Sequence, residues 1–283
     1  MNFEEEGMEY IYGRSYRGPV RLVVLDWAGT TIDYGCYAPA VAFIELYRRK
    51  GVEISMEQAR RPMGLGKREH IKAISQQSEV ASKWQQAHGR PITAQDIDEM
   101  YADFQPLQMQ CLADYADLIP GTLEAIAALR AQGIRIGSTT GYFAEAMELI
   151  KNEAARRGYS PDCSVCVTQV RAGRPEPWML IQNMVNLGIY PPEAVAKVDD
   201  TGPGIDEGLN AGTWTIGLAK TGNELGLSLE EIEATPPSRL EALLVKARGE
   251  LARRGAHYVV DSIADVPRVV EDINRRLARG EKP

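Results

Sequence analysis

The stretch VVLDWAGTTID, Val23 to Asp33, sets an acid at the end of an apolar run: Leu22 to Leu25 are apolar, Asp26 ends them, and Gly29 and Thr30 follow. A short apolar run closed by a small-residue turn reads as a strand buried on both faces of a parallel sheet. Open α/β sheets bind their ligands outside the carboxyl ends of such strands, so Asp26 stands where a reactive group belongs. Working outward, further strand-like runs lie at Arg21–Asp26, Ile134–Thr140, Ser164–Thr168, Val195–Asp199, Trp214–Leu218 and His257–Asp261. Helix-period segments separate them: Glu124–Gln132, Phe143–Arg157 and Pro177–Leu187, each followed by a glycine (Gly133, Gly158, Gly188) that suits a helix end. Strand–helix alternation of this kind predicts an α/β fold with a doubly wound parallel sheet.

The alternation stops between Cys36 and Leu118, where helical patterns alone appear: Ala40–Lys50, Lys67–Gln77, Val80–Ala87 and Ala94–Leu112, punctuated by Pro39, Pro62 and Pro91. This reads as an all-helical cap domain of roughly 80 residues inserted into the core. The expected division is a discontinuous core of residues 1–35 and 119–283 and a cap of residues 36–118. An insertion at that point would lie over the strand ends as a lid that excludes water. The charged stretch Ser228–Arg254, broken at Pro236-Pro237, reads as a solvated helix pair.

The chain has 283 residues, 44% hydrophobic and 25% charged, with a formal net charge of −7. That composition fits a globular protein with a sizeable core and argues against nucleic-acid or anionic-membrane partners. The opening MNFEEEGMEY is acidic and lacks the apolar core of a secretory signal, and no run approaches the ~20 apolar residues of a membrane span. The expected compartment is the cytoplasm. Of the four cysteines, Cys163 and Cys166 form a lone C-x-x-C with no further ligands nearby, since His70, His88 and His257 are scattered. The thiols therefore read as small packing groups.

The spacing D-x-x-G-T-x-x-[DV] at Asp26 is similar to the first motif of the haloacid dehalogenase superfamily, whose members use that Asp as a nucleophile. In the superfamily's phosphatases a second Asp protonates the leaving alcohol; here Ala28 holds that position. Other strand ends add candidates. Ser138-Thr139-Thr140-Gly141 offers a hydroxyl for a phosphoryl oxygen, and Thr140 is the choice. Arg174, in Ala172-Gly173-Arg174-Pro175, can grip two phosphoryl oxygens bidentately. In Lys197-Val198-Asp199-Asp200-Thr201, paired carboxylates suit a hard Mg²⁺ ion; Asp200 is the ligand and Asp199 its support. Many superfamily relatives carry a further acid four residues on; here that position is Gly204, with Asp206 two beyond.

Within the cap, Arg61-Pro62-Met63-Gly64-Leu65-Gly66-Lys67-Arg68-Glu69-His70 places Lys67 at the opening of a helix. A helix N-terminus disfavours an ammonium, and burial under a lid would lower its pKa further. A free amine attacks aldehydes, and His70, one turn on, could move protons. The local residues alone also fit a plain solvated lysine. Ala28 and Lys67 answer each other. If the bond to be broken joins phosphorus to a carbon next to a carbonyl, an iminium on Lys67 accepts the electrons as an enamine. No acid at residue 28 is then needed.

The stretches DWAGTTIDYGCYAP (Asp26–Pro39), RPMGLGKREHI (Arg61–Ile71), GSTTGY (Gly137–Tyr142), AGRPEPWM (Ala172–Met179) and DDTGPGIDEGLNAGTWTIG (Asp199–Gly217) together resemble the phosphonoacetaldehyde hydrolase family of that superfamily. The first twenty or so residues, with Tyr10, Tyr12 and Tyr16, lie outside the resemblance. The resemblance implies hydrolysis of phosphonoacetaldehyde to acetaldehyde and phosphate, with Mg²⁺, in a homodimer. It implies Asp26 as nucleophile and metal ligand, the Ala28 carbonyl and Asp200 as further ligands, and Lys67 as the Schiff-base lysine. It further implies that Thr140 and Arg174 hold the phosphoryl group, with Met63, Gly64, His70 and Tyr142 in support. A phosphate-ester hydrolase or phosphomutase of the same fold is the nearest rival, and Ala28 speaks against it. A dehalogenase would not need the Asp199-Asp200 pair. A non-catalytic phosphate-binding or receiver-like module would leave the assembly of Asp26, Lys67, Thr140, Arg174 and Asp200 to chance.

Overall fold

The computed structural model describes residues 15–283; Tyr10, Tyr12 and the acidic opening segment lie outside the described residues. Strand β1 (Leu22–Leu25) is fully buried along its length, as its four apolar residues require. Val23 and Leu25 face the main core, while Leu22 and Val24 face a smaller cluster with Leu180, Met184, Ile189 and Val195. A strand with two apolar faces belongs in the middle of a covered parallel sheet. β1 pairs in parallel with β2 (Arg135–Thr140) on one side and β4 (Val195–Asp199) on the other. With β3 (Cys163–Cys166), β5 (Trp214–Leu218) and β6 (Tyr258–Val260) the sheet runs β3-β2-β1-β4-β5-β6. The chain winds outward from β1 to β3, then restarts at β4, so the topological switch point lies at β1 and β4.

The insertion is helical throughout. It holds α1 (Tyr37–Arg49), α2 (Met56–Arg60), α3 (Lys67–Ser75), α4 (Ser78–His88) and α5 (Ala94–Leu112), then a 3₁₀ turn at Ala113–Tyr115. Its own core is aromatic: Phe43 of α1 stacks on Phe104 of α5 at 4.4 Å and on His70 of α3 at 3.9 Å between ring centroids. Such pairs add about 0.5–1.5 kcal/mol each beyond the area they bury. The chain enters and leaves side by side. Ile32 and Leu118 form an antiparallel bridge, Asp33 N donates to Asp117 O at 3.2 Å, and Ile119 N donates to Thr31 O at 2.9 Å.

Helices α6 (Thr122–Ala131), α7 (Ala144–Arg156), α8 (Trp178–Leu187), α9 (Gly202–Asn210), α10 (Leu229–Ala234), α11 (Pro237–Arg253) and α12 (Val266–Ala278) complete the described fold. Ile126 and Leu129 of α6 and Val270 and Ile273 of α12 cover one sheet face. Leu180 and Met184 of α8 cover β1 from the other. Three helices lie outside the sequence expectation: α2 has only five residues, α9 opens Gly202-Pro203-Gly204, poor helix formers, and α12 follows the last expected strand. Val167 and Thr168, expected to prolong β3, instead open a 3₁₀ turn at Val167–Gln169. Among the described residues no helix is long and apolar enough to cross a membrane, and all four cysteines are free.

Candidate active site

Parallel pairing carries the ends of β1, β2 and β4 to one edge. Leu25 is level with Ser138 and with Val198, so Asp26, Thr139 and Asp199 follow as neighbours. Asp26 N donates to Val198 O at 3.1 Å, which fixes the turn. The Asp26 side chain is buried, and its Oδ1 accepts from Arg174 Nη2 at 2.7 Å. Burial pushes the Asp26 carboxyl up, opposed chiefly by the Arg174 guanidinium. A tight cavity of about 20 Å³ opens beside it, lined by Asp26, Ala28, Met63, Lys67, Thr140 and Arg174 among others. Gly64, Tyr142, Cys36 and Thr201 complete much of the wall.

Asp26, Asp199 and Asp200 bring carboxylate oxygens within 4.8 Å of one another, all buried. They differ in compensation. Asp199 Oδ1 accepts from Thr201 N and Oγ1, and its Oδ2 lies 2.9 Å from Lys197 Nζ and 3.3 Å from Arg174 Nη2. Asp200 accepts only neutral donors, Thr30 Oγ1 at 3.2 Å and Asn223 N at 2.7 Å, and has no ion pair among the described residues. Burial and the charges of Asp199 and Asp26 hold the Asp200 carboxyl well above the usual carboxylate range. Glu207 adds a fourth buried carboxyl group beside the buried cations Arg174 and Lys197. The Ala28 carbonyl accepts no backbone hydrogen bond among the described residues. A divalent cation with oxygen ligands fits this donor set.

Lys67 opens α3 and is only 6% exposed, so the solvated-lysine reading does not hold. Its Nζ lies over the Tyr142 ring, 4.9 Å from the centroid, and 5.7 Å from that of Phe43. Burial lowers its ammonium to about 8, against the raising effect of Cys36 and Asp26. Gly64 makes the approach possible. It has φ +93°, and a side chain there would strike Thr201. Thr140 Oγ1 accepts from Tyr142 N at 3.1 Å, leaving its hydroxyl hydrogen to donate into the pocket it lines.

Three expectations change in detail. Arg174 cannot grip a ligand through its Nε–Nη2 edge, because Nε donates to Glu207 at 3.0 Å and Nη2 to Asp26 and Thr139. Nη1 is the nitrogen without a protein partner among the described residues. His70 lies behind the pocket wall: its Nε2 donates to Ala59 O at 2.8 Å and its ring stacks on Phe43. Asp206 is turned outward, 3.3 Å from Arg254. The sequence reading passed over Lys197, Glu207 and Thr139 as site residues. The signal for Lys197 was there, a lysine inside the apolar strand VAKVD; an acid on a helix, such as Glu207, carries none.

Residues 20–212 match the sequence model of the haloacid dehalogenase-like hydrolases. The chain is 48% identical over 275 residues to a phosphonoacetaldehyde hydrolase-like protein of Syntrophobacter fumaroxidans, covering 96% of this chain and 99% of that protein. It is 48% identical over 266 residues to the phosphonoacetaldehyde hydrolase of Klebsiella pneumoniae, covering 93% and 99%. Among solved structures, a phosphonoacetaldehyde hydrolase-like protein from Oleispira antarctica superposes with a TM-score of 0.95 at 42% identity, covering 97% of this chain and 100% of that one. A β-phosphoglucomutase of Clostridium difficile shares the fold, with a TM-score of 0.67 at 15% identity.

Proposed function

The chain belongs to the phosphonoacetaldehyde hydrolase family of the haloacid dehalogenase-like hydrolases, and from that premise we propose that it hydrolyses the C–P bond of phosphonoacetaldehyde to acetaldehyde and phosphate. One observation carries the reading. A buried amine (Lys67) and a buried carboxylate (Asp26) line the same small pocket, and residue 28 between the strand end and the turn has only a methyl group.

The Lys67 amine adds to the aldehyde carbon and expels water, giving an iminium. Asp26 Oδ2, which takes no protein hydrogen bond among the described residues, then attacks phosphorus in line. The C–P electron pair passes into the iminium and leaves as an enamine on Lys67. Protonation of the enamine carbon and addition of water release acetaldehyde and regenerate the amine. A second water cleaves the aspartyl phosphate. Arg174 and the Thr140 hydroxyl supply hydrogen bonds to the phosphoryl oxygens as charge shifts. Asp26, the Ala28 carbonyl and Asp200 would hold Mg²⁺, which when bound neutralises charge on the phosphoryl oxygens. Met63, Gly64 and Tyr142 shape the wall around the imine, and His70 supports the helix that carries Lys67. The cap of residues 36–118 serves as the lid over the core of residues 1–35 and 119–283. The free thiols fit a reducing, cytoplasmic setting, and the family resemblance supports a homodimer, which light scattering would size.

Borohydride trapping with phosphonoacetaldehyde and Mg²⁺, followed by peptide mass mapping, tests the reading. A reduced two-carbon adduct on Lys67, with activity lost in step and absent from a folded Lys67→Ala variant, is the expected result. No adduct, with phosphate released instead from ordinary phosphate esters, would move the protein to the ester hydrolases.

A further inference from the structure

Lys197 and Glu207 take no part in that chemistry, yet both are fully buried beneath it. Lys197 stands in the middle of β4; its Nζ donates to Thr139 Oγ1 at 2.7 Å and forms ion pairs with Asp199 Oδ2 at 2.9 Å and Glu207 Oε2 at 3.3 Å. Glu207 Oε2 also accepts from Arg174 Nε and Thr139 Oγ1, each at 3.0 Å. Gly208 makes this contact possible. A Cβ there would lie 2.5 Å from Thr215 Cγ2 and 2.9 Å from Lys197 Cβ, so only glycine lets α9 approach β4 closely enough for Glu207 to reach.

A buried ion pair adds little or nothing to stability over apolar residues of similar volume, so its presence calls for another reason. The reason lies in Arg174. It arrives on a loop after β3, with a long side chain that has many rotamers to lose. Glu207 takes its Nε, while Asp26 and Thr139 take Nη2. The guanidinium plane is then fixed from below.

We propose that Lys197 and Glu207 are positioning residues: Glu207 anchors Arg174 by its Nε, Lys197 anchors Glu207 and Thr139, and Arg174 is thereby held with Nη2 on Asp26 and Nη1 free for a phosphoryl oxygen. This rests on the pocket being a phosphoryl-transfer site.

The test uses wild type, Glu207→Gln and the charge-neutral double variant Lys197→Met/Glu207→Leu. Two quantities are read: steady-state kinetics on phosphonoacetaldehyde, and calorimetric binding of inorganic phosphate with Mg²⁺ present. A loosened clamp costs on the order of 100-fold in kcat, since misplacing a catalytic group by an ångström has that effect. The double variant should lose about that much, with KM within about threefold and phosphate affinity about tenfold weaker. Glu207→Gln, which keeps an acceptor for Nε, should lose roughly tenfold in kcat. A purely structural role would lower the folded fraction and leave kcat per folded molecule unchanged. Wild-type kcat in either folded variant overturns the proposal, and Glu207→Gln decides if the double variant does not fold. Glu207-dependent phosphate binding without acetaldehyde release would refute the substrate and support the positioning role. Turnover indifferent to Glu207 would do the reverse.

Discussion

Gly204→Ala should behave against its helix propensity. Gly204 lies in the first turn of α9, where replacing glycine by alanine gains up to about 1 kcal/mol. A Cβ on Gly204, however, would fall on the carboxylate of Asp199. That carboxylate cannot step aside. It is fully buried, accepts from Thr201 N at 3.0 Å and Thr201 Oγ1 at 2.7 Å, and pairs with Lys197 at 2.9 Å. Hydrogen bonds to a charged acceptor are worth about 1.5–3 kcal/mol each. Parting a buried ion pair costs about 3–5 kcal/mol. These losses are one displacement and do not add in full. A net destabilisation of about 3–4 kcal/mol remains after the propensity gain. Gly249→Ala is the matched control in α11, where a Cβ meets only the end of the Arg253 side chain at 3.3 Å. It should be neutral or stabilising by about 0.5–1 kcal/mol. Urea unfolding followed by circular dichroism compares the two, with phosphate release falling alongside stability in Gly204→Ala. A Gly204→Ala protein as stable as wild type would refute the claim that Asp199 fills the space above residue 204.

Two further outcomes follow from the buried charges. In the proposed reaction Lys67 attacks as the free amine, and burial lowers its ammonium to about 8, so log kcat/KM should rise with pH up to about 8 and level off above; a profile flat through that range would exclude Lys67 as the titrating nucleophile. Its ordinary value is 10.5, so the unfolded chain binds the extra proton between about 8 and 10.5. Stability should therefore rise with pH across that window, and Lys67→Met should remove the increment in urea melts made on either side of it. Asp200→Asn should raise the melting temperature of metal-free protein, because it removes a carboxyl whose ionisation is opposed by burial and by the charges of Asp199 and Asp26. The same variant should lose the stabilisation that Mg²⁺ gives wild type in scanning fluorimetry; an undiminished Mg²⁺ response would take Asp200 out of the metal site.

The sheet was legible because its strands are continuous apolar runs. β4 and β5 have the bounds that their sequences predict, and β1 needs only its four apolar residues to be placed in the centre. α9 was not legible, because its three glycines in seven residues deny helix propensity. Packing imposes them, since Asp199 and the Lys197 stem occupy the space where side chains at Gly204 and Gly208 would go. The pocket residues could be gathered from sequence because parallel strands end at a common edge. Lys67 could not be told from a surface lysine by its neighbours in sequence; only the docking of its loop on Thr201 and Tyr142 buries it. The commitments of Arg174 were out of reach, since they depend on Glu207, which sequence shows only as one acid on a polar helix.

The strand order bears on how such a molecule comes into being. Leu22 of β1 pairs with Arg135 and with Val195, so the strand that leads to Asp26 waits for both neighbours to be synthesised. At about 5–20 residues per second, the second neighbour follows on the order of ten seconds later. Until β2 emerges the apolar segment LVVL has no strand partner, and until β4 follows its other edge stays open to wrong pairing. The insertion, whose first and last helices α1 and α5 pack on each other and whose ends are tied at Ile32 and Leu118, can form meanwhile. The inserted helices can thus assemble before the central strand has both of its neighbours.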